Sequence, residues 1–389
     1  MSRWGDAGRD AVVVGRRPPG RRRHDLLARV SGHGVGAPGE VETFCPGWWR
    51  LGPGATSPVG EGRTTEAMTE PKAVPQAIGE RLRCPSCGGS MAVDGEGASC
   101  GTGHRFPWRD GYLDFSSAGA RSGSTEQTFE SFGFEWNEFD DVRDEDEAFA
   151  EVYFRDVDLG GLAGKVGLDA GCGKGRYTRV LARHLGALAA LDGSVAARAA
   201  ARNLAGADNV VVVRSDLRTA PFGEGVFDFV SSLGVLHHLD DPREGFRQLL
   251  RHLAPGGQVL VYLYSRPDEH NLRWAALAAA TATRKLTVRL PHRTLRVLAG
   301  PIATALYVGT VMPGQWGERR GIAALAGLPM GSYRGKPLRS LVLDTFDRLS
   351  APVEHRYVWR ELEPWFTDEG LVVDSARDEA GWFVLAPRR

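Results

Sequence analysis

Three glycines at alternate positions, Gly171, Gly173 and Gly175, follow Asp169 near the end of an apolar run that begins at Val166. A backbone without Cβ atoms turns tightly there and lets a ligand lie against the chain. Two more acids close apolar runs further on: Asp192 after 187–191, and Asp216 after the β-branched stretch 210–213. A histidine pair, His237-His238, follows a fourth apolar run. An imidazole titrates near working pH and can take a proton from an acceptor, although both rings could equally cap the next helix or pack in the interior. Upstream, Cys84, Cys87, Cys100 and His104 stand in the spacing C-x2-C-x12-C-x3-H. Three thiolates and one imidazole complete a tetrahedral zinc shell with no open position, so such a site would be structural.

These residues need a scaffold that alternates strands and helices. Residues 166–170 read as a strand, the glycines as a turn, and 176–185 as a helix. Asp192 ends the next strand, 23 residues after Asp169, where the second strand of a βαβ unit should finish. Residues 226–233 read as a fourth strand. Residues 249–264 read as a helix, a Pro-Gly-Gly turn and a fifth strand. A dinucleotide fingerprint, G-x-G-x-x-G, would require its third glycine at 176, where an arginine stands.

The pattern D-x-G-x-G-x-G of 169–175 resembles motif I of the class I S-adenosylmethionine (SAM) methyltransferases. The stretch Gly-Val-Leu-His-His-Leu-Asp-Asp-Pro of 234–242 is similar to that of the small-molecule members carrying "VLHHL" after strand four. The resemblance implies an α/β fold with a Rossmann-like, seven-stranded sheet whose last strand is antiparallel. It implies SAM as cofactor, bound by Asp169, Gly171, Cys172, Gly173, Gly175, Asp192, Gly193, Asp216, Leu217 and Leu233. Asp192 would accept the ribose hydroxyls in charge-assisted hydrogen bonds. Asp216 would take the adenine amino group, and the Leu217 N–H would meet the ring. Gly193 departs from the family, which usually has an apolar residue there, so adenine packing is expected to be altered. In ubiquinone-type O-methyltransferases this loop supplies acidic metal ligands. Gly234 and His237 hold the matching positions, which implies no divalent catalytic metal. SAM carries an activated methyl, so orientation supplies much of the rate and no covalent nucleophile is required. His237 and His238 are the candidate bases for an acceptor of high pKa. Cys172 is expected to be small packing.

The chain has 389 residues and a formal net charge of zero, room for a core domain plus accessories and little sign of a protein that coats nucleic acid. Residues 1–67, rich in Arg, Gly and Pro, read as a disordered leader, or as sequence upstream of a translation start at or near Met68. Residues 81–118 read as a separate module that resembles the zinc-ribbon leaders of some methyltransferases, including bacterial rRNA guanine enzymes. Residues 119–160 read as a helical cover, with Trp136 the aromatic expected at the pocket. Residues 161–389 form the methyltransferase domain, with a helical lid insert over 266–340. Counted over 266–339, that insert has 12 Arg and Lys against 3 Asp and Glu, interleaved with apolar residues and broken at Pro291, Pro301 and Pro313. Tyr264, His270, Asp344 to Asp347 and His355 to Tyr357 are expected to line the acceptor side. No run of 18 apolar residues occurs, so no transmembrane helix is expected. With five cysteines and no signal segment, the expected compartment is the cytoplasm. The expected partner is a small, apolar acceptor, with weak membrane-surface contact through 266–340 and no specific nucleic acid. The alternative is an rRNA or tRNA base methyltransferase, favoured by the zinc module and the basic insert.

Overall fold

The computed structural model describes residues 72–118, 124–138, 140, 142, 150–266, 272–379 and 381–389. The expectations for 1–67, Met68 and His270 lie outside these residues. The strands are β1 (Met91–Val93), β2 (Gly97–Cys100), β3 (Arg105–Arg109), β4 (Tyr112–Asp114), β5 (Val166–Ala170), β6 (Ala187–Asp192), β7 (Val210–Arg214), β8 (Phe227–Leu233), β9 (Leu253–Leu263), β10 (Ser375–Asp378) and β11 (Trp382–Pro387). The helices that position the site are α1 (Ser124–Glu138), α2 (Arg176–Leu181), α3 (Ala197–Asn203), α4 (Pro242–Arg251), α5 (Leu272–Thr287), α6 (His292–Leu306), α7 (Met312–Arg320), α8 (Leu338–Ser350) and α9 (Trp359–Thr367).

The sheet order is β1-β2-β3-β4-β7-β6-β5-β8-β9-β11-β10. Strands β5 to β9 pair in parallel, and β11 lies antiparallel to both β9 and β10. The seven strands from β7 to β10 in that order are the Rossmann-like core that the sequence implies. Successive side chains of a strand point to opposite faces, and here both faces are covered. Ala187, Ala189 and Leu191 of β6 enter one buried cluster, Leu188 and Ala190 the other. That is why 187–191 reads as one unbroken apolar run.

Two differences from expectation have clear causes. The sheet has eleven strands, because β4 pairs in parallel with β7 and carries β1 to β3 with it. The cysteine-bearing segment is therefore hydrogen-bonded to the sheet edge, and Leu82, Phe106 and Phe115 share the core with Val213 and Phe227. The expected Pro-Gly-Gly turn instead falls inside β9, where the register with β8 slips between Phe227 and Phe229. A Cβ on Gly257 would stand 2.9 Å from the Asp228 carbonyl oxygen, so the irregular strand needs a residue without one.

Of the three prolines expected to break the insert, only Pro291 bounds a helix, at the start of α6. Pro301 sits inside α6 and Pro313 in the first turn of α7. The helix runs without interruption over His292–Arg320, 29 residues, through a π-turn at Tyr307–Val311 that adjusts the ladder just before Pro313. By length and composition this helix could cross a membrane, where none was expected. Gly, Thr and Pro interrupt the strictly apolar runs, yet residues 297–317 contain no charge.

Candidate functional site

The sheet order reverses between β5 and β8, and ligands of open α/β sheets bind at the carboxyl ends of strands beside such a switch point. The chain leaves β5 through Gly171 and β8 through Gly234. A Cβ on Gly171, whose φ is +81°, would come within 2.2 Å of the Val235 side chain. Gly173, at φ +55°, lies under the Trp136 indole, which a Cβ would approach at 3.2 Å. Trp136 thus stands over the glycine turn, with the Arg176 guanidinium 5.3 Å from its ring. Beneath the turn, buried Asp169 accepts from Thr178 Oγ1 at 2.6 Å and Ser231 Oγ at 2.9 Å, tying β5 to α2 and β8. Cys172 is buried, and burial pushes its thiol well above the usual value.

Asp192 ends β6 beside that turn. Its carboxylate accepts the Gly173 N–H at 2.8 Å and, on the other oxygen, the Ser194 N–H at 2.8 Å and hydroxyl at 2.6 Å. Burial pushes its carboxyl up, and the bonds from Ser194 and Gly173 pull it back. A carboxylate has about four lone-pair sites, so capacity remains for ligand hydroxyls. The Gly193 departure also has an explanation. A Cβ there would lie 2.5 Å from the Phe129 ring of α1, so that ring occupies the space of the family's apolar side chain. Asp216 is buried and follows β7. Arg218 binds it, from the backbone N–H at 2.9 Å, from Nε at 3.0 Å and from a terminal nitrogen at 2.6 Å. The sequence reading missed Arg218, two residues on, although an arginine that close to a buried acid signals such a pair. Leu217 is half-buried next to it, and Leu233 is buried at the end of β8.

His237 and His238 are both buried. The His238 Nδ1 is 2.8 Å from the Val353 carbonyl oxygen, and its ring meets Phe132 edge-on. The His237 ring stacks on Tyr264 at 3.9 Å, and neither ring nitrogen has a protein partner. Burial, and then repulsion by His238, Arg356 and His355, holds the His237 imidazole well below its usual pKa, hence neutral at pH 7. The Tyr264 hydroxyl donates to Asp347 Oδ2 at 3.2 Å, and the His355 N–H donates to the His237 carbonyl at 2.8 Å. Three segments expected on the acceptor side therefore meet.

Glu135 joins them, and the sequence reading passed it over. It is buried on α1 with Thr128 and Ser131, a polar face at helical spacing that was visible in the sequence. Glu135 Oε2, Ser131 Oγ and Asp347 Oδ1 are buried without protein partners. Burial raises the Glu135 carboxyl well above its usual range. Asp347 and Asp344 reinforce the effect, against Arg176 and Lys174.

On the other sheet edge, the four zinc-type ligands converge. Their donor atoms all lie within 4.8 Å of one another. Cys87 Sγ is 3.7 Å from Cys100 Sγ, and His104 Nδ1 is 3.4 Å from Cys100 Sγ and 3.5 Å from Cys84 Sγ. A tetrahedron with Zn–S bonds of about 2.3 Å has edges of about 3.8 Å, so the donor set fits that ion. Thr102 Oγ1 lies 3.2 Å from Cys87 Sγ and 3.0 Å from Cys100 Sγ, a contact the spacing alone did not reveal.

Residues 168–261 match the family model described as a methyltransferase domain. By that match the chain carries a methyltransferase domain. The match takes in Asp169, the glycine turn, Asp192, Asp216 and the histidine pair. Among curated proteins, a demethylmenaquinone methyltransferase of Clavibacter sepedonicus is 35% identical over 107 residues, 27% of this chain and 44% of that one. A ubiquinone biosynthesis O-methyltransferase of Pseudomonas paraeruginosa is 34% identical over 109 residues, 27% of this chain and 47% of that one. The chain spans about half the length of these relatives. A solved SAM-dependent methyltransferase from Aquifex aeolicus aligns over 66% of this chain and 98% of its own, at 15% identity and a TM-score of 0.37.

Proposed function

We propose that this protein transfers a methyl group from SAM to a small, largely apolar acceptor that presents its nucleophile to the buried polar groups of α1, α8 and the segment after β8. The observation that carries the reading is the group of buried polar atoms without protein partners: Glu135 Oε2, Ser131 Oγ, Asp347 Oδ1 and both His237 nitrogens. Leaving one such group unsatisfied costs about 1–3 kcal/mol, and native proteins leave few. Their concentration beside the methyltransferase turn is consistent with a ligand that satisfies them. The aromatic rings nearby, Phe132 and Tyr264 against the histidine pair and Trp136 over the glycine turn, suit an apolar body. Relatives named for menaquinone and ubiquinone formation support a small-molecule acceptor over a polymeric one.

When bound, SAM supplies an activated methyl group. In this reading Asp192 holds the ribose hydroxyls, Asp216 and the Leu217 N–H meet the adenine, and Phe129 closes the space beside Gly193. Neutral His237 can accept a proton from an acceptor hydroxyl, and the carboxyls of Glu135 and Asp347, both pushed up by burial, can hydrogen-bond the acceptor. The cysteine–histidine set holds a structural zinc. The test is calorimetry of SAM binding to the full chain. Asp192→Ala should weaken binding more than about tenfold, because hydrogen bonds to charged groups are worth about 1.5–3 kcal/mol. Unchanged affinity with an intact fold refutes the assignment. Sequence-specific methylation of purified RNA that persists at physiological salt would replace the small-molecule acceptor with a nucleic acid.

A further inference from the structure

The helix over His292–Arg320 has two different sides. Its inner side packs on the protein: Leu295 and Ala299 cluster with Phe346 and Leu349, and Ala303 and Val311 with Leu341 and Tyr333. Its outer side is an apolar stripe, Val297, Pro301, Ala305, Val308, Met312 and Trp316, all exposed. The steps of four, four, three, four and four residues keep one helical face, about 28 Å long at 1.5 Å per residue. Val297 is 73% exposed, Val308 57% and Met312 51%. Exposed Arg293 lies one turn before the stripe and exposed Arg320 one turn after it, with Arg289 and Arg319 beside them. Arg320 lies over the Trp316 ring at 5.5 Å.

We propose that this face docks on an anionic lipid bilayer, lying in the plane of its interface. Charge complementarity selects that occupant. Arginines bracket an uncharged stripe, an arrangement that sinks aliphatic side chains among acyl chains while guanidinium groups reach the lipid phosphates. Trp316 beside Arg320 fits the boundary layer, where an aromatic body and a polar edge are both satisfied. The helix does not span in this arrangement, because its inner side is committed to α8. A phosphate-tracking RNA surface would have no use for the stripe.

Docking would also serve the acceptor, a consequence that rests on the acceptor reading above. Phe346, which meets the inner side of the helix, precedes Asp347, and Phe134, packed on the same cluster, precedes Glu135. An apolar acceptor dissolved in the bilayer would then enter beneath a helix already seated on the lipid.

The experiment uses the full chain with sedimented vesicles of phosphatidylglycerol and phosphatidylcholine, and with vesicles of phosphatidylcholine alone. The anionic vesicles should capture the protein, with a blue shift in fluorescence that Trp316→Phe removes. The neutral ones should capture it weakly. Combining Val297→Asp, Val308→Asp and Met312→Asp should lower partitioning by about tenfold or more, since it removes the inserted aliphatics. SAM affinity, measured by calorimetry, should stay unchanged and report the fold. Should that variant fold poorly, Arg293→Glu with Arg320→Glu leaves the stripe intact and should still abolish the preference for anionic vesicles. Absence of capture, or capture indifferent to all five substitutions, overturns the proposal. So does a stripe-dependent dimer in sedimentation without vesicle binding, or a stripe-dependent affinity for RNA. None of these failures touches methyl transfer, which a soluble acceptor would still report.

Discussion

Glu135 is buried within the fields of Asp347 and Asp344, and its proton sets the pH dependence of this polar cluster. Its carboxyl is held well above the ordinary range, by burial first and by the two aspartates next. The folded chain therefore binds a proton that the unfolded chain has already lost. Stability from this group is complete below the unfolded pKa of about 4.5 and declines as pH rises through the folded value. Glu135→Gln keeps the shape and removes the titration. Melting temperatures should show the variant gaining on the parent as pH rises above about 4.5, at most about 1.4 kcal/mol for each pH step over which only the folded state holds the proton. A constant difference across that range would mean that Glu135 is ionised in the fold. The neutral His237 has the opposite dependence. Its pKa is depressed, so its contribution is present above about pH 6.5 and is lost as pH falls below it.

At the scale of elements, the cysteine-bearing segment and the sheet are one object. β4 pairs with β7, the strand that delivers Asp216, and buried Cys84 and Cys100 belong to the same core cluster as Val213. If the four ligands hold zinc, removing the ion should loosen the edge of the sheet as well as the ribbon. Cys84→Ser should lower the melting temperature in a single cooperative transition, and it should weaken SAM binding by a few-fold through Asp216. Two separated transitions, with SAM binding unaffected, would show that β1 to β4 fold as an independent unit. This joint was not legible in the sequence. Strands β5 to β8 were, because each is a local apolar run closed by an acid or a glycine. A parallel pairing between residues a hundred positions apart leaves no local period. The Phe129–Gly193 fit was hidden for the same reason: the glycine was visible as a departure, but the ring that replaces its side chain comes from another helix. The continuity of α6 into α7 was hidden by its prolines, since a π-turn that accommodates Pro313 depends on how the backbone packs.

Across the whole molecule, charged contacts beside its apolar seam tie the insert to α1 and to the segment around Glu354. Arg296 pairs with Glu138 of α1. Arg284 of α5 is nearly buried and meets Glu354 at 2.7 Å, while Arg356 reaches the other Glu354 oxygen at 2.7 Å. Glu354 is itself buried to within 5% of its side chain, and it lies in the segment whose next residue, His355, bonds the His237 carbonyl. Arg356, Arg284 and His238 hold its carboxyl below the usual value against the cost of burial. Its contribution is therefore present above the unfolded pKa and is lost as pH falls through the folded one. Glu354→Gln would leave two arginines facing a neutral amide, and breaking a buried pair on one side typically costs about 3–5 kcal/mol. That loss should fall on the docking of α5 and α6, because the partners of Glu354 are Arg284 of α5 and Arg356. Limited trypsin digestion at neutral pH should cut the variant sooner after Arg289 and Arg293, which stand exposed at the α5–α6 junction. SAM affinity should stay within a few-fold of the parent. Equal resistance to trypsin in parent and variant would mean that the apolar seam alone fixes the insert. Faster cleavage together with lost SAM binding would mean that the insert and the SAM site unfold as one.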